Sequence, residues 1–71
     1  MLTMFPIVIE EYNHLGQVAH AKRAEMYFTS PPLVGDWIDL HTGEHQVTSR
    51  RWTKTGEIEI HMVLVYPPGG S

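Results

Sequence analysis

The chain has 71 residues, 42% of them hydrophobic and 18% charged, with a formal charge of −3 and no cysteine. This length holds one domain and one core, and the balance of apolar and charged residues excludes the composition of a disordered chain. The lack of cysteine excludes a disulfide scaffold and Cys-type zinc sites, and the negative charge opposes nonspecific attraction to nucleic acid or anionic lipid.

A domain of about 60 residues hides only about 60% of the surface of its unfolded chain, so folding at this size usually needs a staple. With disulfides excluded, self-association is the simplest staple, and a homodimer is expected. Met1 to Phe5 carry no basic charge, and Pro6, Glu10 and Glu11 interrupt any apolar stretch, so no signal peptide is expected. No run approaches the roughly 18 apolar residues of a membrane span. The expected location is cytoplasmic.

In chain order, residues 5 to 12 concentrate β-branched and aromatic side chains and stop at the turn-forming Asn13-His14-Leu15-Gly16, which predicts a strand and a hairpin turn. Residues 17 to 28 contain good helix formers but end in Met-Tyr-Phe before Ser30-Pro31-Pro32. Strand is preferred there, because a hairpin partner satisfies the first strand's backbone groups. Pro31-Pro32 forbids continuation of a ladder and predicts a corner.

Trp37 to His41 alternates, with Ile38 and Leu40 on one face and Trp37 and Asp39 on the other, until Thr42-Gly43-Glu44 reverses the chain. Residues 45 to 52 return as a fourth strand. Val47 and Trp52 have opposite parity, and a bulge near Ser49 would reconcile them. Thr53 to Gly56 is a second Gly-containing hairpin loop. Glu57 to Tyr66 then places Ile58, Ile60, Met62 and Leu64 on one face and Glu57, Glu59 and His61 on the other, until Val63 and Val65 make the far half apolar on both faces, and it reads as half exposed at its start and enclosed at its end.

Five short strands predict an all-β domain over residues 1 to 68, an antiparallel meander rolled into a small SH3-like barrel so that no edge is left open. Residues 69 to 71 have the composition of a flexible linker remnant and are set aside from functional reasoning.

His41 and His45 flank a tight turn and invite a metal reading, but the third ligand would be His61, beside Thr48 or Ser49 and roughly 10 Å away at strand rise. No metal and no cofactor is expected. There is no nucleophile elbow, phosphate-cradling loop or His-Glu-x-x-His helix. Asp36 and Asp39 read more simply as a turn residue and a solvated strand residue. No catalytic residue is assigned, and an enzyme is not expected; an oligomer enclosing a polar pore at its symmetry axis is the enzymatic alternative.

Arg50, Arg51, Trp52 and Lys54 place basic groups beside an indole within one hairpin, an arrangement able to engage phosphates and stack bases. The leading reading of the arginines is structural pairing with Glu57 and Glu59 on the next strand. Protein contact and nucleic-acid binding follow as alternatives. Lys22 and Arg23 form a second basic pair with no evident carboxylate opposite, and would merge with the first if the second and fourth strands lay side by side. Trp37 and Tyr27 are candidate anchors for a homodimer or a protein partner.

The run Pro32-Leu-Val-Gly-Asp-Trp-Ile-Asp-Leu40, then Gly43, then Val47-Thr-Ser-Arg-Arg-Trp52, resembles a pattern in uncharacterised small β proteins of phages and mobile gene cassettes. The likeness covers about half the chain. It implies an SH3-like or related rolled sheet, and carries over no catalytic or binding residue. The expected role is that of a small accessory or interaction module.

Overall fold

The computed structural model describes residues 1–69, so the part of the tail reading that concerns residues 70 and 71 lies outside the described residues. The strands are β1 (Thr3–Tyr12), β2 (Val18–Phe28), β3 (Trp37–Leu40), β4 (Gly43–Trp52) and β5 (Ile58–Tyr66). They form one sheet in the order β2-β1-β5-β4-β3. Among the described residues no helix is long and apolar enough to cross a membrane.

The all-β, five-stranded expectation holds, and of the stretch 17 to 28 residues 18 to 28 are strand, with Gln17 closing the hairpin loop. Two features differ from the expected meander barrel. β1 pairs with β5, and does so in parallel, with Ile7 to Glu10 beside Ile60 to Val63. The sheet is also open, since β2 and β3 lie at opposite ends of the strand order and do not pair.

The amphipathic patterns give the physical reason. β5 is buried from Ile58 through Met62 on both faces, so it is the strand that gains most from neighbours on both sides. β2 is exposed over its first eight residues and β3 is only four residues long, and both take edges. Pro31-Pro32 ends β2 and releases the chain to carry the β3-β4-β5 unit around, so that β5 rather than β3 arrives beside β1. Pro6 is tolerated within β1 because the pairing with β5 begins at the next residue, Ile7.

The burial gradient along β5 runs opposite to the one read from its alternation. Ile60 to Met62 are enclosed between β4 and β1, Ile58 and Glu59 are buried just ahead of the β1 pairing, and Leu64, Val65 and Tyr66 extend past it and are exposed.

The hairpin chemistry follows the sequence closely. At both ends of the sheet a five-residue loop uses the same bonds: the amide of Asn13 donates to Gln17 and that of Gly16 to Asn13, while Thr53 donates to Glu57 and Gly56 to Thr53. Gly16 and Gly56, at φ 77° and 84°, supply the left-handed residue that returns each chain into its partner strand. The expected bulge lies between Val47 and Ser49, leaving Thr48 unmatched opposite β5, and Ser49 is the register partner of His61. Asp36 is a turn residue: its carboxylate accepts the Leu33 amide at 2.8 Å.

Ile7, Ile38, Val47, Ile58, Ile60 and Met62 form the core, with Phe5, Ile9, Met26, Phe28 and Leu40 packed against it. Met26 and Phe28 come from one edge strand and Ile38 and Leu40 from the other. Both edges therefore lean over the same cluster, and the sheet is strongly curled without closing.

Candidate functional site

The opposite face of the sheet centre carries a row of ionisable side chains. Arg23 of β2 donates to Glu59 Oε2 at 2.7 Å; Glu59 Oε1 lies 2.7 Å from His61 Nε2; and His61 Nδ1 faces Glu10 Oε1 at 3.5 Å. Glu59 and His61 alternate along β5, and the parallel pairing with β1 brings Glu10 to the same face. The Arg23 hydrogen bond holds the Glu59 carboxyl below its ordinary value; burial pushes the other way, and His61 adds to the lowering. An ionised Glu59 only accepts, so His61 Nε2 is the donor between them. The row joins β2, β1 and β5, and its inner groups are occupied by one another. It is a brace, with little left over to bind a ligand.

This brace corrects two expectations. The sequence shows no evident carboxylate opposite Lys22 and Arg23, but Glu59 reaches Arg23 across β1. The strand pattern pairs Glu59 with the arginines at 50 and 51; Glu59 is the register partner of Arg51, yet its ion pair is with Arg23. Among the described residues Arg50 and Arg51 make no ion pair. Their strand is separated from β2 by β5 and β1, so the two basic pairs do not merge into one patch.

Trp52, at 71% exposed, stands at the end of β4, with Lys54 in the loop that follows. Arg50 and Arg51 are exposed and point to opposite faces, opposite Ile60 and Glu59 respectively. Trp37 is exposed, as its alternation with buried Ile38 requires. It stacks on Tyr66, with ring centroids 5.9 Å apart and planes inclined by 20°. Tyr66 escaped the sequence reading because, although the two hairpin loops place β4 between β3 and β5, the register irregularities of β4 against β5 at Glu44/His45 and Val47/Ser49 decide which side chains align across it. Leu33 and Val34 in the turn before β3, and Leu64 and Val65 on β5, are further exposed apolar side chains.

A cleft of 210 Å³ is lined by Ile9 and Glu11 of β1, His20 and Lys22 of β2, His45 of β4 and Leu64 of β5. His45 is buried, and its Nδ1 lies 3.0 Å from the Gly43 carbonyl, so Nδ1–H donates there and fixes the ring. His41 is outside this group. Among the described residues no cluster of histidines and carboxylates has the arrangement of a metal site.

The remaining candidates lie on β2. Lys22, Arg23 and Tyr27 all belong to this edge strand, whose outer side has no neighbouring strand among the described residues. Comparison with family models, curated proteins and solved structures finds no match to the chain.

Proposed function

We propose that the chain is a small interaction module that assembles with copies of itself and presents a β surface to a protein partner. The observation that carries this reading is the open sheet: β2 and β3 each have a strand on one side only. A row of unpaired backbone N–H and C=O groups is a template for another strand, and proteins that stay monomeric shorten, cover or close such edges. Here β3 is short, whereas β2 runs for 11 residues. The small core adds to the reading, since a second subunit supplies the burial that one copy lacks. The Trp37–Tyr66 stack is the anchor offered to a protein partner, because clustered exposed aromatics dominate binding energy at many interfaces. The likeness to small phage and cassette proteins supports an accessory role, and the expected setting is the cytoplasm. Sedimentation velocity over a wide concentration range tests the assembly; a concentration-dependent dimer is expected, and a monomer throughout would contradict it.

A second reading, single-stranded nucleic-acid binding by Arg50, Arg51, Trp52 and Lys54, is favoured by one observation. Among the described residues the two arginines make no ion pair, and the indole beside them is exposed. It predicts quenching of Trp52 fluorescence by an oligonucleotide, weakening steeply with salt. Binding unchanged by Arg50→Ala with Arg51→Ala would exclude it.

A further inference from the structure

We infer that β2 pairs antiparallel with β2 of a second copy about a two-fold axis at Ala24, joining two curled sheets into one of ten strands; this rests on the self-assembly reading above. Opposed residues of an antiparallel pair share a face, so a symmetric pairing must set one residue of β2 against its own copy. The charges on the strand then choose which. An axis at Lys22, Arg23 or Glu25 puts that charge directly against itself, which is destabilising. An axis at Ala24 instead sets Arg23 against Glu25 of the second copy, and Glu25 against its Arg23, giving two reciprocal opposite-charge pairs around a small residue that needs no space.

The rest of the strand fits this register. It pairs residues 20 to 28 with 28 to 20, using nearly the whole strand. Ala21 falls opposite Tyr27, so the exposed tyrosine ring lies over a methyl group on each side. Lys22 falls opposite Met26 and His20 opposite Phe28 on the other face, where the lysine and histidine lie across from apolar side chains without meeting a like charge. Arg23 is 71% exposed although one of its nitrogens is bound to Glu59, so the guanidinium retains donors for a second carboxylate. A charged edge ordinarily discourages pairing. On β2 the order of the charges discourages the registers centred on Lys22, Arg23 and Glu25, and of the uncharged centres Ala21, Ala24 and Met26 it is Ala24 that sets opposite charges against each other.

The test uses the whole chain and two exposed positions. Glu25→Arg replaces both attractive pairs with repulsive ones, and is expected to raise the dimer dissociation constant at least about tenfold in sedimentation, with an unchanged circular dichroism spectrum. Ala24→Cys places two thiols face to face on the axis, at the Cα separation that a disulfide spans, so mild oxidation is expected to crosslink it. Ala21→Cys, which lies opposite Tyr27, is expected to stay uncrosslinked. A dimer that tolerates Glu25→Arg and does not crosslink at position 24 overturns this register while leaving self-assembly standing. A wild-type chain that is monomeric at every concentration overturns both.

Discussion

Arg23 on β2 and Glu59 on β5 meet at 2.7 Å although β1 runs between their strands. On β1 the residue level with Arg23 is Val8, a small buried side chain that is the register partner of both Arg23 and His61. A long guanidinium stem thus spans one strand to reach a carboxylate that is itself nearly enclosed. The brace ties the β1-β2 hairpin to the β3-β4-β5 unit, two parts of the chain otherwise joined by the β1/β5 pairing and the core.

Removing the guanidinium leaves Glu59 with His61 alone. Arg23→Ala is expected to lower stability by about 1 kcal/mol, less than the roughly 1.5–3 kcal/mol of a hydrogen bond to a charged group, because solvent reaches the exposed arginine. Urea unfolding near neutral pH measures it. Arg23→Lys should recover part of the loss.

The same contact sets an acid dependence. Glu59 is held below its ordinary value in the folded chain, chiefly by the Arg23 hydrogen bond. A carboxylate with a lowered folded value adds stability that is fully present above its unfolded value, about 4.5, and is lost as pH falls through the lowered one. The urea midpoint should therefore drop below about pH 4.5, and Glu59→Gln should flatten that part of the profile. An identical profile in the variant would remove Glu59 from the cause.

Gly43 opens β4 at φ 128°, where an added Cβ would collide with the Tyr66 carbonyl and the Leu64 side chain. Strain and overlap act together, so Gly43→Ala is expected to cost roughly 2 kcal/mol or more. Gly35, with open space around it, is the control for conformation without collision. Thermal unfolding of the two alanine variants separates these effects.

The Trp37–Tyr66 stack lies at the β3 end of the sheet, away from β2. Trp37→Ala should cost about 0.5–1.5 kcal/mol of stability and leave the dimer intact in sedimentation. A monomeric Trp37→Ala protein that is still folded would move the self-contact to the β3 edge.

Local pattern carried much of the fold. Asn13 to Gly16, Thr53 to Gly56 and Pro31-Pro32 mark turns by backbone chemistry that acts over a few residues, and the parity of Val47 and Trp52 demands a bulge. The parallel pairing of β1 with β5 leaves no such mark, since Ile7 and Ile60 are adjacent only after the chain has passed around the Pro31-Pro32 corner. Everything that depends on this pairing was hidden with it: the open edges, the burial of Glu59 and His61 on a polar-looking face, and the carboxylate that answers Arg23. Trp37 was legible as an outward side chain from its alternation with Ile38, but its partner Tyr66 was not, because the stack crosses β4, whose register against β5 is irregular. Lys22, Arg23 and Tyr27 were picked out individually, and only the edge position of β2 gives them a common role.

Sedimentation equilibrium of the unmodified chain, from low to high concentration, tests the proposed self-assembly most directly. Twice the chain mass at high concentration, relaxing to the single mass on dilution, is the predicted result. A single chain mass at every concentration would contradict it.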